Sequence, residues 1–183
     1  MNRAQLEHAI RAAGAISGDR ELYVVGSQSI LGAYPNPPPE LCRSLEVDIA
    51  PRNHPELESV IEGSIGELSP FHTTFGFYVD GVEIDAIALP AGWQDRLVIV
   101  DNPGTNGYRG LCLDPGDLAV SKLVAGREKD VEFVEVMLRE SMTTRTLLKE
   151  RLVTVPRLTT EDAKRLLRTI DSLKDDGARR PPK

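Results

Sequence analysis

The sequence predicts an α+β fold, a mixed β-sheet with flanking helices followed by a C-terminal helical bundle. Three observations lead there. Short apolar runs alternate with polar residues through the first part, as in Leu45-Glu46-Val47-Asp48-Ile49, the period-two pattern of strands. From Asp117 onward the apolar residues recur at the period of helices. Glycine and proline clusters punctuate the runs and mark their ends.

Taken in order, residues 3–15 read as a helix with Leu6, Ile10 and Ala13 on one face. Residues 21–26 form a short strand, Leu22-Tyr23-Val24-Val25, and residues 27–33 open a helix. Tyr34-Pro35-Asn36-Pro37-Pro38-Pro39 is a stiff loop, because proline fixes φ and lacks the amide donor. Residues 44–50 alternate as a strand with Leu45, Val47 and Ile49 inward. Residues 55–68 fit a helix that turns Leu57, Val60, Ile61 and Ile65 inward. Residues 73–79 and 82–89 read as a hairpin about Asp80-Gly81, the strongest short turn signal in the chain. Residues 97–100 and 110–113 are shorter strands. Residues 117–127, 130–140, 144–152 and 161–173 are helices. The expected division is an α/β lobe over 1–114, a helical lobe over 115–176 and a flexible polar tail over 177–183.

Composition narrows the function classes. At 183 residues, 40% hydrophobic and 27% charged, the chain can build an ordinary globular core, which excludes a disordered protein. No apolar run reaches the ~18 residues of a membrane span, and no apolar leader is seen, so no membrane partner is expected. Cys42 and Cys112 are too few for a disulfide framework and lack metal-ligand spacing, which points to a reducing cytoplasm. The net charge of −6 argues against a uniformly basic nucleic-acid binder. The charge is uneven: residues 1–116 hold seven Lys or Arg against sixteen Asp or Glu, and the first lysine is Lys122. An acidic part that can gather cations thus precedes a part, with Arg139, Arg145, Lys149, Arg151 and Arg157, that can meet phosphates.

Four segments carry chemistry. Val24-Val25-Gly26-Ser27 ends a strand on a glycine and a small hydroxyl residue, where exposed backbone amides favour phosphate. Glu46 and Asp48 share one face of a strand, about 6.5–7 Å apart, and can hold a divalent metal. Glu83 and Asp85 also share a face, and Asp85 is the expected third carboxylate of an oxygen-rich Mg²⁺ site, with Glu83 a bystander. Asp117-Leu118-Ala119-Val120-Ser121-Lys122 places a lysine one turn into a helix, where it can neutralise a triphosphate. Arg127 and Asp130 follow, and Asp130 can orient Lys122 or a reacting hydroxyl. For any one of these, a turn, an edge strand or a surface ion pair is the plain structural alternative. Trp93 is read either as packing at a loop base or as a base-stacking ring. His8, His54 and His72 are too scattered for a ligand set and read as surface or packing residues.

The order strand, Gly26-Ser27, helix, Glu46-x-Asp48 and a later single acid resembles the nucleotidyltransferase superfamily of the polymerase-beta type. Asp117-Leu118-x-x-x-Lys122-Leu123 and Arg127-x-Lys129-Asp130 are similar to segments of the AbiEii/MenT group, nucleotidyltransferase-like toxins of bacterial toxin–antitoxin systems. The likeness spans about residues 20–140. It implies a nucleotidyltransferase-like sheet and an NTP substrate with Mg²⁺, or Mn²⁺, as cofactor. It also implies nucleotide transfer to the 3′ end of tRNA, which blocks translation, and a cognate antitoxin as partner. By the same likeness Glu46, Asp48 and Asp85 hold metal; Gly26, Ser27, Ser44, Lys122 and Arg127 bind the nucleotide; and Lys122 and Asp130 join the three acids in catalysis. The first acid is Glu46 where aspartate is commoner in that superfamily, and the proline loop is unusually long. Two other readings stand beside this one: transfer to a protein or small-molecule hydroxyl, and an inert antitoxin or regulatory partner of the same fold.

Overall fold

The computed structural model describes residues 1–174; the tail expected over 177–183 lies outside the described residues. The chain folds as two compact units, one of Met1–Ile87 with Trp93–Asp114 and a second of Ala88–Gly92 with the chain from Pro115.

The first unit opens with α1 (Arg3–Ser17), capped by the Asn2 side chain on the Gln5 amide and closed by Gly18 in the left-handed region. Then come β1 (Glu21–Val25), the short α2 (Ile30–Ala33), β2 (Glu46–Pro51), α3 (Glu58–Ile65), α4 (Pro70–Phe75), β3 (Tyr78–Gly81), β4 (Val98–Val100) and β5 (Arg109–Cys112). The five strands form one mixed sheet in the order β3-β2-β1-β5-β4. β1 runs antiparallel to β2 and parallel to β5; β2 is parallel to β3, and β4 antiparallel to β5. This is the α+β architecture the periodicities predict.

Residues paired across strands share a face, so the register sorts the sheet into two. Leu22, Val24, Val47, Ile49, Val79, Val100 and Cys112 lie on one face and are fully buried. Leu6, Ala9, Ile10 and Ala13 of α1 and Ile61 of α3 complete this core, with Ile10 directly over Gly110 of β5. Each such aliphatic side chain contributes about 1.5–3 kcal/mol by leaving water. The second face carries Tyr23, Glu46, Asp48, Tyr78 and Asp80. Asp19 ties the start of β1 to the turn after β2. Its buried carboxylate accepts from the amides of Glu21, Asn53 and His54 and from the Asn53 side chain, at 2.6–3.2 Å.

The hairpin expected over 73–89 does not form. Thr73 falls in α4, which ends at Gly76 in the left-handed region, and residues 82–89 leave the sheet through a 3-10 turn, Ile84–Ala86. Asp80-Gly81 has a different job. Gly81 passes so close to α3 that a Cβ there would lie 1.9 Å from the Glu58 carbonyl oxygen, so the glycine serves close approach and not a reverse turn. Two inward assignments also fail: Leu45, just ahead of β2, and Val60 are exposed. His8 packs edge-on against Phe75 and Phe71, whereas His54 is exposed.

The second unit contains α5 (Pro115–Ala125), α6 (Glu128–Arg139), α7 (Arg145–Leu152) and α8 (Thr160–Ser172) around Leu118, Val134, Met137, Leu148, Leu152 and Ile170. Ala91 joins it through its amide to the Thr154 carbonyl. No helix among the described residues is long and apolar enough to cross a membrane.

Candidate functional site

Val25 is the last residue of β1 and pairs with Asp48 of β2. Gly26 follows with φ 60° and ψ −166°, a backbone conformation open essentially to glycine alone. It is required a second time by its neighbour. A Cβ on Gly26 would lie 1.8 Å from Oδ2 of Asp48. The Gly26-Ser27 turn and the second acid of the pair are therefore in direct contact. Ser27–Ser29 continue as a 3-10 turn into α2.

Ser44 stands two residues ahead of β2, the strand that carries the acids. Its hydroxyl accepts from the Glu46 amide at 3.2 Å, a local turn that sets the direction of β2. Gln28 is wholly buried, and its Nε2 donates to the Ser44 carbonyl at 3.4 Å while its Oε1 has no partner. Gln28 thus couples the glycine turn to the entry of the acid strand. Nothing in the sequence marked it, because a glutamine one residue past a turn has no pattern of its own.

Glu46 and Asp48 are both half-buried on the second face of the sheet. Their cross-strand partners on β3 are Tyr78 and Asp80. The Tyr78 hydroxyl donates to Oε2 of Glu46 at 3.4 Å. Burial, and then the negative charges of Glu46, Asp80 and Glu67, push the Tyr78 phenol up to about 12. Burial likewise raises the Asp80 carboxyl above its ordinary value, with Glu46, Glu62 and Glu67 adding to it. Asp85, the expected third acid, is exposed on the 3-10 turn that follows β3. The structure brings Asp80 into register with Asp48 instead. The sequence shows the parity of Tyr78 and Asp80, but Asp80-Gly81 also carries a turn signal there.

The oxygen donors of this row suit a hard cation held by one or two carboxylates, with water and substrate phosphate as its remaining ligands. They do not build an all-protein cage: among the described residues no three His, Cys, Asp or Glu side chains gather as a metal site.

Lys122, Arg127 and Asp130 belong to the second unit. Lys122 on α5 and Asp130 on α6 are both buried, and Nζ lies 2.9 Å from Oδ1. Arg127, at the start of α6, places Nε 2.6 Å from Oδ2 of the same carboxylate. Nζ of Lys122 also stands 4.7 Å from the Phe133 ring centroid. Burial works against the Asp130 charge, but hydrogen bonds from Arg127 and Lys122 outweigh it and hold the carboxyl below the usual range. This is a dry, oriented pair, not the solvated surface bridge that the spacing alone most often means. Asp117, at the start of α5, is fully buried and lies 3.3 Å from Nη1 of Arg151.

The basic residues of the C-terminal part are largely engaged within their own unit. Arg151 meets Asp117, Lys149 meets Asp171, Arg139 meets Glu140, and Arg145 donates to the Leu173 carbonyl. Arg157 is exposed, at a left-handed φ of 63°.

A mixed sheet whose first strand ends in a Gly-Ser turn against an acid-x-acid strand, with helices after it, is the fold of the nucleotidyltransferase class. The chain belongs to the family described as nucleotidyltransferase of unknown function, DUF6036, whose family model matches residues 4–166. At that level it is a transferase domain with a nucleotide substrate. Among curated proteins and among solved structures, no match to the chain was found.

Proposed function

We propose that this protein transfers a nucleotidyl group from an NTP to a hydroxyl acceptor. One observation carries the reading: the Gly26-Ser27 turn is packed onto the Asp48 carboxylate, so a phosphate-receiving backbone and a cation-binding acid pair are parts of one construction. Glu46 and Asp48 would hold Mg²⁺ (or Mn²⁺), with Asp80 beside them in place of Asp85. When bound, the ion supplies charge neutralisation of the triphosphate and acidifies the attacking hydroxyl. Gly26 and Ser27 offer the β- and γ-phosphates their backbone, and Ser44 fixes the strand that aims the acids. The resemblance also gives Lys122, held by Asp130 and Arg127 within the second unit, a part in binding the nucleotide. The acceptor oxygen bonds to the α-phosphorus as the bond to the bridging oxygen of the β-phosphate breaks. Pyrophosphate leaves, and the hydroxyl proton passes to solvent. Catalysis on this plan is positioning and electrostatics.

The acceptor that the resemblance favours is the 3′ end of tRNA, with the chain as the toxin of a pair and an antitoxin as its restraint. A second acceptor class, a protein or small-molecule hydroxyl, is favoured by the net charge of −6 and the acidic first 116 residues, since a polyanion acceptor calls for a basic surface. The full chain is incubated with each α-labelled NTP, Mg²⁺ or Mn²⁺, and total cellular RNA or protein. Label in the tRNA fraction supports the first acceptor, and label in protein or small-molecule fractions the second. Asp48→Ala should abolish labelling with the fold retained; labelling that survives Asp48→Ala and Lys122→Ala would remove the enzyme reading. Growth arrest on expression, relieved by a neighbouring gene, tests the toxin role.

A further inference from the structure

We propose that Tyr23 and Trp93 form the platform on which the nucleobase of the NTP stacks; this rests on the nucleotidyl-transfer reading above. The two rings meet edge to face, with centroids 5.0 Å apart and planes at 63°. Both are half-buried, so each has ring surface left to offer. Arg52 approaches Tyr23 as well, with Cζ 5.9 Å from its centroid.

Position along β1 gives this pair its meaning. Tyr23 and Val25 point to the same face, about 7 Å apart along the strand. Val25 is the residue opposite Asp48, and Gly26 comes next. Moving along β1 one therefore meets aromatic rings, then Asp48, then the glycine turn. A nucleotide presents the same order: base, then sugar and α-phosphate, then the outer phosphates. With the α-phosphate at Asp48 and the outer phosphates at Gly26-Ser27, the base falls toward Tyr23 and Trp93. Stacking on an aromatic face serves all four bases, since each has a π surface. The platform accordingly sets where the base lies without choosing one base sharply.

Trp93 is the chain's single tryptophan, so its emission reports on this place alone. The full chain is titrated with ATP, GTP, CTP, UTP and inorganic tripolyphosphate in the presence of Mg²⁺. Binding is measured in parallel by equilibrium dialysis. Each NTP should quench the indole, whereas tripolyphosphate should bind with little change in emission. In dialysis, Trp93→Leu should weaken NTP binding about tenfold, leave tripolyphosphate binding unchanged, and be rescued in large part by Trp93→Phe. NTP that binds the wild-type chain without altering emission, with Trp93→Leu equal to wild type, overturns the platform and leaves the nucleotidyltransferase reading standing. A chain that binds neither NTP nor tripolyphosphate overturns both. Because the emission titration uses the unaltered protein, misfolding of Trp93→Leu would not shelter the proposal.

Discussion

Gly26→Ala is the sharpest single perturbation of the proposed site. Alanine meets two separate obstacles. At φ 60° and ψ −166° an L side chain clashes with its own backbone, a strain of about 1–3 kcal/mol. The new Cβ would also sit 1.8 Å from Oδ2 of Asp48, far inside contact distance. Either the turn relaxes toward negative φ and the amides after it are re-aimed, or the Asp48 carboxylate swings away. The expected loss is roughly 2–4 kcal/mol of stability in the first unit. Nucleotidyl transfer should fall further than stability alone explains, because both escapes dismantle the junction of turn and acid. Urea unfolding gives the stability term, and α-labelled NTP incorporation under conditions where the variant is still folded gives the functional one. A Gly26→Ala protein with wild-type stability and wild-type incorporation would refute the claim that the turn and the acid act as one structure. Gly18→Ala, also at a left-handed glycine but with open space around its Cβ position, is the control. It should show the backbone strain and keep its transfer activity.

Two further outcomes follow from buried charge. Asp130→Ala strands Lys122, only 8% exposed, without its partner and should cost about 3–5 kcal/mol, whereas the double change Lys122→Met with Asp130→Leu should recover most of that stability and none of the activity; recovery of activity in the double variant would show the pair to be structural only. For Asp19, burial opposes its charge but the amides of Glu21, Asn53 and His54 and the Asn53 side chain overrule it, so its pKa in the fold lies below the ordinary value. Its contribution is fully present above the unfolded value of 3.8 and fades as the pH falls from there through the folded value. Asp19→Asn should flatten the acid limb of a stability–pH curve, and an unchanged limb would assign that limb to other carboxylates.

The sequence made the strands and helices legible because burial on one face imposes a period, and β1, β2, β5 and the four C-terminal helices follow it closely. It made the Gly26-Ser27 and Glu46-x-Asp48 segments legible because a strand that sends two acids to one face breaks the apolar rule. The β3 region failed for an identifiable reason. Asp-Gly is a turn signal when glycine is needed for positive φ, but Gly81 is needed because the Glu58 carbonyl approaches it. One sequence pattern serves both causes, and only the tertiary neighbour separates them. That ambiguity pointed to Asp85 and left Asp80, the register partner of Asp48, unmarked. The Lys122–Asp130 pair had the opposite difficulty: eight residues and an intervening Gly126 separate them, and burial, which turns a surface pair into an oriented one, is not a property of spacing.

The negative charges of Asp130 and Asp80 are met in opposite ways, and the contrast bears on function. In the second unit Asp130 meets two cations at hydrogen-bond distance, and its carboxyl is held low despite burial. The fold has balanced that charge by itself. In the first unit the charges that act on Asp80 are those of Glu46, Glu62 and Glu67, every one of them acidic, and its carboxyl is raised. Tyr78 registers the same field. The repulsion on Asp80 lowers stability, and a divalent cation arriving with a triphosphate would relieve it. The row should therefore respond to added ion in a way Asp130 does not: millimolar Mg²⁺ with NTP ought to raise the unfolding midpoint of the first unit, and neutralising Asp80 with Asp80→Asn should raise it without any ion.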